Sequence, residues 1–249
     1  MQIIQSELFK TFPEIVFGFS TKIGLNCKEP FFFNLSHNVG DNHKNVDENR
    51  EAFFNTFGIT TGQIAFQKQV HGDVIKFVEK PGFIGESDAM ITKQKGIGLA
   101  ISSADCTPIF IYDNENKIIA AVHSGWRSTQ KKILKKTLNN LSHHFNSKSE
   151  KLFCFVGPSI SQENYEVGSE VAVLFDTKYL LMHKADDNSN KIFLDVKQAN
   201  VDMLLEFGIP NSQIEVSPLC SYSEKDLLHS FRRDGNLSGR ALGVLTMKA

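Results

Sequence analysis

The sequence predicts a mixed α/β layered fold, and three observations support this prediction. Apolar runs of strand length follow one another in the centre of the chain. Helical spacing of apolar residues replaces them after residue 128 and again near residue 195. No repeat, low-complexity tract or long linker divides the 249 residues. Strands interleaved with helices from residue 98 onward are typical of layered α/β proteins. We therefore expect one continuous domain over residues 1–249.

The amino-terminal part is predicted to be rich in loops. The segment Phe17–Lys22 leads into a turn-prone stretch that extends to Asp47 and contains Gly24, Pro30 and Gly40. After it, Asp47–Phe57 has the pattern of a short helix with Asp47 as its N-cap.

The centre of the chain is predicted to be β-structure. Residues 98–102 and 108–112 are short apolar runs separated by the segment Ser103-Ala-Asp-Cys-Thr107. A third run, KIIAAVH at 117–123, follows an Asp-Asn-Glu-Asn turn. Near-continuous apolar runs of this kind are typical of strands that are buried on both faces.

The carboxyl-terminal half alternates predicted helices and strands. Ser128–Leu141 has helical spacing, with apolar residues on one face and lysines 131, 132, 135 and 136 on a face that we expect to be solvated. The remaining predicted elements are a strand at Leu152–Val156, a helix beginning near Ser169, a helix from an Asp195 N-cap to Phe207, and a strand at Gln213–Ser217.

Composition limits the classes of function. The formal net charge, 27 − 28 = −1, gives no global field that would favour nucleic acid or an anionic membrane. The amino terminus lacks the pattern of a secretory signal, and no apolar run approaches the roughly 20 residues that a membrane-spanning helix needs. The four cysteines, at 27, 106, 154 and 220, form no CxxC pair. We therefore expect reduced thiols and a cytoplasmic protein.

Three residues at predicted strand–turn junctions are candidate ligands of a metal ion. Cys106 follows a strand and precedes Pro108, His123 ends a strand before a sharp turn, and His71 precedes Gly72. Each one alone is more simply a structural residue. Together, two histidines and one cysteine suit Zn²⁺ and leave a fourth coordination position for water or substrate, as in catalytic zinc sites. Their separations, 35 and 17 residues, match no finger-type motif, so only the fold could bring them together.

Other residues give weaker indications. The sequence has no Walker loop, HExxH or GxSxG motif. The histidines at 37, 43, 143, 144, 183 and 229 lie in polar stretches, and we expect them to be solvated or to cap helices. Arg127, Arg232 and Arg233 offer guanidinium groups for phosphate or carboxylate. Asp234 directly follows Arg232 and Arg233, so these two arginines could equally form structural ion pairs with it.

At these residues the sequence resembles the laccase domain-containing proteins, formerly called polyphenol oxidases and now regarded as purine nucleoside phosphorylases. The matching segments span nearly the whole chain in order: GFSTK (18–22), NVGD (38–41), QVHGD (69–73), SDAMIT (87–92), ADCTPIFIYD (104–113), AVHSGWRST (121–129), GPSISQENYEVG (157–168), LCSY (219–222) and SFRRDGNLSGR (230–240). Lys22, Asn38 and Phe231 depart from the family pattern, which usually has Arg, His and Tyr at these positions.

The resemblance implies a single four-layer α/β/β/α sandwich with mixed sheets, and zinc bound by the residues matching His71, Cys106 and His123. It also implies phosphorolysis of adenosine, inosine and methylthioadenosine, and deamination of adenosine. Purine nucleosides and inorganic phosphate would be the partners, and the protein would be a monomer or a small homo-oligomer.

On this basis we expect an enzyme with three groups of site residues. Its catalytic residues are predicted to be His71, Cys106, His123, Asp105 and Arg127, with Asp105 orienting a ligand. Substrate contacts are predicted at Asn38, Arg127, Arg232 and Arg233.

Three rival interpretations stay open. Two histidines and a cysteine also form a blue-copper ligand set, but the chain has no His-x-His pair of the kind that a multicopper oxidase uses. Cys106 could instead be the nucleophile of a metal-free hydrolase or amidase, with His123 or His71 as base. Alternatively, Cys154 or Cys220 could supply a fourth protein ligand and close a structural zinc site in a binding protein.

Overall fold

The computed structural model describes residues 1–25, 28–184 and 190–249, so Cys27 lies outside the described residues. The strands are β1 (Ile3–Ile4), β2 (Ile15–Ser20), β3 (Ile64–Lys68), β4 (Ile75–Phe77), β5 (Gly82–Glu86), β6 (Ala89–Thr92), β7 (Gly98–Ser103), β8 (Thr107–Asp113), β9 (Ile118–Ser124), β10 (Leu152–Val156), β11 (Glu166–Val167), β12 (Leu180–Lys184), β13 (Asn190–Leu194), β14 (Ile214–Val216) and β15 (Ala241–Met247).

The α-helices are α1 (Glu7–Lys10), α2 (His43–Asn55), α3 (Trp126–Gln130), α4 (Ile133–Phe145), α5 (Ser169–Ala172), α6 (Val196–Glu206) and α7 (Phe231–Asp234). Short 3₁₀ turns occur at Thr61–Gln63, Ser149–Lys151, Gln162–Asn164, Thr177–Tyr179, Asn211–Gln213 and Gly235–Leu237. In the described part of the chain, none of the helices combines the length and apolar character needed to cross a bilayer.

Two six-stranded mixed sheets form the centre of the molecule. The first has the order β1-β2-β15-β7-β3-β5, and the second has the order β14-β10-β8-β9-β6-β4. In the first sheet β3 runs parallel to β5 and β7, and in the second β4 pairs with β6 and β10 with β14 in parallel. The other pairs in these two sheets are antiparallel. Strands β11, β13 and β12 form a separate small antiparallel sheet.

Apolar packing confirms the expected four layers. One core cluster joins side chains of the first sheet, such as Phe17 and Leu99, to side chains of the second, such as Phe110 and Ile119. On the outer face of the first sheet, α2 packs through its phenylalanines. On the outer face of the second, α4 and α6 pack against β6, β8 and β9. Burial of apolar area between the layers is the main force that holds the sheets together.

The central strands follow the sequence prediction closely. Every residue of β8 and β9 is buried, because core clusters lie on both faces of the second sheet. The predicted strand at 152–156 is present with the same bounds. The helix capped by Asp195 is also present, and the Asp195 side chain accepts a hydrogen bond from the backbone N–H of Gln198.

Two helix boundaries differ from the prediction. Helix α2 begins at His43 because the side chain of Asn42 accepts the hydrogen bond of Lys44 N–H and acts as N-cap. Asp47, the predicted cap, lies inside the helix and contacts His37 instead. The predicted helix 128–141 is divided into α3 and α4, since Lys132 adopts a left-handed conformation with φ +59°.

The prediction of loop structure at 17–22 is wrong for most of that segment. Residues 15–20 form β2, which pairs with β1 on one side and β15 on the other. Gly18 is required there by packing, because a Cβ at this position would lie 2.1 Å from Cζ of Phe57. Gly18, which is predicted from the sequence to lie in a loop, therefore lies inside a strand, where the absence of a side chain makes room for Phe57.

His229 is a second correction, because it is buried and not solvated. Burial lowers the pKa of His229 to about 3 and keeps it neutral at ordinary pH. The charges of Lys22 and Arg240 act in the same direction, whereas Asp234 opposes them. Its Nε2 lies 3.4 Å from the carbonyl oxygen of Phe33.

Candidate metal centre

The fold brings His71, Cys106 and His123 together at one edge of the two sheets. Cys106 lies in the short turn between β7 and β8, and His123 lies near the end of β9, which pairs with β8. His71 follows β3, which pairs with β7 in the first sheet, whereas β8 and β9 belong to the second sheet. Their ligand atoms all lie within 4.8 Å of one another, with His71 Nε2 3.7 Å from Cys106 Sγ.

The backbone at His71 is held in an uncommon conformation. Its φ is +57°, in the left-handed region that costs a non-glycine residue free energy. Three backbone N–H groups donate to the carboxylate of Asp88 and hold this turn: those of Val70 (3.3 Å), His71 (3.0 Å) and Gly72 (2.6 Å). The turn aims the imidazole of His71 toward Cys106.

Asp88 also orients His123. Its Oδ1 lies 2.8 Å from Nδ1 of the imidazole, and Asp88 is fully buried at the start of β6. This contact leaves Nε2 of His123 for a ligand, the arrangement found in carboxylate–histidine–metal sites. Burial opposes ionisation of Asp88, but the hydrogen bond and charge of His123 outweigh it and keep the pKa of Asp88 below its usual range.

Cys106 and His123 form a coupled acid–base pair. Burial favours the neutral thiol, but the charge of His123 and hydrogen bonds from both histidines outweigh it and lower the pKa of Cys106 to about 6. Burial likewise favours neutral imidazole, but the charge of Cys106 and the contact with Asp88 raise the pKa of His123 to about 9. The site therefore stabilises a thiolate, which is the form in which cysteine binds a metal or acts as a nucleophile.

Gly125 provides the space that these side chains occupy. A Cβ at this position would lie 2.8 Å from Cys106 Sγ and 3.1 Å from His71 Cδ2. Its φ of −77° is one that any residue can adopt, so the requirement for glycine comes from packing and not from the backbone.

The donor set fits a soft or borderline divalent metal such as zinc. One cysteine sulfur and two imidazole nitrogens lie within 4.8 Å of one another, and with three protein ligands a zinc ion held there would keep a fourth position for water or substrate. Among the described residues, neither Cys154 nor Cys220 belongs to this cluster. Cys154 is buried in β10, and Cys220 accepts hydrogen bonds from Ser161. This arrangement speaks against a closed structural site.

Asp105 supports the wall of the site. Its φ is +92°, and its carboxylate accepts hydrogen bonds from Ser221 Oγ and from the backbone N–H of Arg232, both at 2.6 Å. The carboxylate that contacts a candidate metal ligand is that of Asp88, which lies 2.8 Å from Nδ1 of His123. The orienting role expected of Asp105 stays a prediction. Asp105 fixes the segment that carries Arg232 beside the cluster.

Tyr165 and two arginines flank the cluster. The Arg232 guanidinium lies 5.0 Å from the ring centroid of Tyr165, and Arg127 lies 4.3 Å from that of Trp126. Burial raises the pKa of Tyr165, and the charge of Cys106 acts in the same direction, so the phenol stays protonated. The charges of Arg232 and Arg127 also act on the pKa of Tyr165, and Arg232 N–H donates to the carboxylate of Asp105 beside Cys106. The substrate contacts expected of Arg127 and Arg232 stay predictions.

Arg233 is already fully engaged within the chain. Its Nε and one Nη2 hydrogen bond go to the carboxylate of Asp234. The remaining three donors reach the carbonyl oxygens of Ser221, Tyr222 and Leu228. All five N–H groups of the guanidinium are used within the chain. The substrate contact expected at Arg233 stays a prediction.

Asn38 is exposed in the loop before α2, and its backbone N–H donates to Ser36 Oγ. Among the described residues, no hydrogen bond joins the Asn38 side chain to the cluster. Its substrate role stays a prediction.

A family model described as multi-copper polyphenol oxidoreductase laccase matches residues 16–248. The chain belongs to this family. This confirms the resemblance that the sequence motifs indicate.

Several relatives in this laccase family carry names. A purine nucleoside phosphorylase of Bacteroides thetaiotaomicron is 38% identical over 165 residues, which are 65% of this chain and 61% of that protein, so this match spans less than two thirds of the relative. The purine nucleoside phosphorylase YlmD of Bacillus subtilis is 30% identical over 94% of this chain and 89% of its own. Adenosine deaminase RL5, from an unknown prokaryotic organism, is 28% identical over 83% and 84%.

A solved laccase-family structure supports the fold directly. The crystal structure of YlmD from Geobacillus stearothermophilus has a TM-score of 0.89 with this chain at 27% identity. The match covers 98% of this chain and 94% of that one.

Sequence reasoning missed two residues beside the cluster, Asp88 and Tyr165. Asp88 had a visible signal, since it directly precedes the apolar strand AMIT. Tyr165 lies 59 residues after Cys106, and only the fold places it near the cluster.

Proposed function

We propose that this protein is a zinc-dependent purine nucleoside phosphorylase of the cytoplasm. Adenosine, inosine and methylthioadenosine are its proposed substrates, and deamination of adenosine is a proposed second activity. The observation that carries the proposal is the open cluster of three donor atoms at His71, Cys106 and His123, oriented by Asp88. Relatives named purine nucleoside phosphorylase or adenosine deaminase support the choice of reaction.

Zinc is the proposed cofactor, and His71, Cys106 and His123 would hold it. When bound there, zinc supplies Lewis acidity and an activated water molecule, which suits hydrolytic deamination. Copper oxidation is the weaker alternative. Multicopper oxidases need several metal sites, whereas the described residues contain one such donor cluster and the sequence has no His-x-His pair.

Phosphorolysis requires an anion beside the sugar. A phosphate oxygen forms a bond to the anomeric carbon of the ribose as the C–N glycosidic bond breaks. The electron pair of that bond leaves with the purine, which takes up a proton, and the products are the free base and ribose 1-phosphate. Arg127 and Arg232 border the cluster and would attract the phosphate, which Arg recognises through paired N–H donors.

The aromatic residues at the same edge would bind the base. Trp126 and Tyr165 belong to one apolar cluster with Val171 and Leu194. Aromatic faces suit stacking with a purine, and the protonated Tyr165 hydroxyl is available to donate a hydrogen bond.

The assay that tests the proposal compares adenosine turnover with and without phosphate in protein of measured metal content. Adenine, inosine and hypoxanthine are separated by chromatography. We expect phosphate-dependent release of adenine, its loss in Cys106→Ala, and its retention in the control Cys220→Ser. This control keeps a hydrogen-bonding group beside Ser161, outside the cluster. Absence of turnover of every purine nucleoside by the zinc-loaded protein would refute the proposal.

A metal-free cysteine hydrolase is a second candidate, because the geometry also matches a nucleophile–base–carboxylate triad. Cys106, His123 and Asp88 stand in the order that such a triad needs, with the carboxylate 2.8 Å from Nδ1 of the base. This alternative predicts covalent labelling of Cys106 by a slow amide or ester substrate in protein without metal. Turnover that depends strictly on stoichiometric zinc, without labelling, would exclude it.

A further inference from the structure

Arg240 lies at the entrance of the turn that carries Cys106. It directly precedes β15, whose first residue, Ala241, pairs with Ser103 at the end of β7. Asp105 and Cys106 follow Ser103 immediately. The register of β15 and β7 therefore places the Arg240 backbone beside the start of the Cys106 turn.

One edge of the Arg240 guanidinium is fixed by the chain itself. Its Nη1 donates to the carbonyl oxygens of Ser238 (2.7 Å) and Gly239 (2.9 Å), and the group lies 5.3 Å from the ring centroid of Phe231. The backbone is fixed as well, by hydrogen bonds to Asn34 Oδ1 and from Leu35 N–H. A preorganised guanidinium loses little conformational entropy when it binds an anion.

The other edge has no acidic partner. Among the described residues, no carboxylate forms an ion pair with Arg240, and its Nε and Nη2 donate no hydrogen bond. Arg240 is only partly exposed, and burial lowers the pKa of its guanidinium. A cation in such a position is usually paired. Arg233 illustrates the usual state, since all five of its donors are used.

Arg240 also belongs electrostatically to the cluster. Besides desolvation, the charges that act on its pKa are those of Asp105 and Cys106, which raise it. The charges of Arg127 and Arg232 act on Tyr165, which in turn senses Cys106. Arg240 is therefore the arginine whose pKa responds to the Cys106 charge, while the carboxylate of Asp105 is occupied by Ser221 and by Arg232 N–H.

We propose that the free edge of Arg240, formed by Nε and Nη2, is a binding group for inorganic phosphate on the Cys106 side of the site. The paired, parallel donors of this edge match two oxygens of one phosphate. This assignment rests on the proposed phosphorolysis. It adds Arg240 to Arg127 and Arg232 as a residue that binds phosphate.

The test is titration of the zinc-loaded protein with inorganic phosphate by calorimetry, with no nucleoside present. Loss of a charged paired contact predicts about 10- to 100-fold weaker phosphate binding in Arg240→Gln. Arg240→Lys keeps the charge without the paired geometry and should fall between Arg240→Gln and the unchanged protein.

Arg50→Gln is the matched control. Arg50 is also partly buried, burial lowers its pKa to about 10, it lies over an aromatic ring, and it donates to the carbonyl oxygen of Leu35, whose N–H donates to Arg240. We expect Arg50→Gln to bind phosphate within about twofold of the unchanged protein, because the charge that acts on the pKa of Arg50 is that of Asp47 and not that of Asp105 or Cys106.

Kinetics supply the second measurement. In Arg240→Gln the KM for phosphate should rise about 10- to 100-fold, while the KM for adenosine stays within about threefold. Unchanged phosphate binding in Arg240→Gln, an equal loss in Arg50→Gln, or no phosphate binding by the unchanged protein would overturn the assignment. Phosphate binding that depends on Arg240 in a protein that turns over no nucleoside would refute the proposed function and leave this assignment standing.

Discussion

Replacement of Asp88 by Asn tests how strongly one buried carboxylate organises the site. Asp88 accepts four hydrogen bonds, from His123 Nδ1 and from the backbone N–H groups of Val70, His71 and Gly72. Asn has nearly the same volume, but its amide nitrogen cannot accept. The N–H donors that bond the replaced carboxylate oxygen therefore lose their acceptor.

The magnitude follows from these contacts. A hydrogen bond to a charged group contributes about 1.5–3 kcal/mol, and an uncompensated buried partner costs more, so Asp88→Asn should lower the free energy of unfolding by about 3–5 kcal/mol. The imidazole of His123 also loses its fixed orientation. Loss of such a supporting group typically weakens metal binding about 10- to 100-fold.

The assay measures zinc affinity by competition with a chromogenic chelator, and stability by urea unfolding of the metal-free protein. Asp113→Asn is the matched control, because Asp113 is also fully buried and accepts hydrogen bonds from Glu115 N–H, Asn116 N–H and Asn116 Nδ2, far from the cluster. Asp113→Asn should lose stability but keep its zinc affinity. Zinc affinity of Asp88→Asn within threefold of the unchanged protein would refute the reasoning.

Packing at Gly125, the contacts of Arg233 and the burial of His229 give three further predictions. Gly125→Ala should weaken zinc binding about tenfold in the chelator assay, since its Cβ would lie 2.8 Å from Cys106 Sγ, whereas Gly62→Ala, with no neighbour closer than 3.8 Å and no contact with the cluster, should change it less than twofold. Arg233→Lys should lower the free energy of unfolding by about 2–4 kcal/mol in urea, because at most three of five hydrogen bonds can be replaced. His229 has a folded-state pKa of about 3, below the ordinary histidine value of 6.5, so its contribution to stability is present above pH 6.5 and is lost as the pH falls toward 3. Between pH 7 and pH 5 the unchanged protein should lose about 2 kcal/mol more than His229→Asn, and equal losses would contradict the buried neutral state.

The sequence predicts the parts of the fold in which local pattern and burial agree. Strands β8 and β9 are apolar throughout and are buried on both faces, so their composition alone indicates their place. The helix capped by Asp195 has its cap, its apolar face and its terminating Gly208 within one short segment.

Elements whose cause lies far away in the chain could not be predicted in this way. Strand β2 contains Gly18, which has the composition of a loop, and the packing of Phe57 explains that glycine. The break between α3 and α4 depends on one left-handed residue, Lys132, whose sequence context gives no signal.

The candidate site shows the same division. Residue type and strand-end position are enough to select His71, Cys106 and His123, but not to show that they converge. Arg233 and Arg240 have the same side chain, yet one has all five donors engaged and the other has a free edge. Only contacts across the fold distinguish the structural guanidinium from the available one.

X-ray absorption spectroscopy at the zinc K-edge, on protein purified with its native metal, tests the central claim most directly. The claim is that His71, Cys106 and His123 form an open catalytic metal centre. The account predicts one zinc per chain with one sulfur ligand, two imidazole ligands and one light ligand from solvent. A spectrum with no sulfur ligand, or with two, would contradict it.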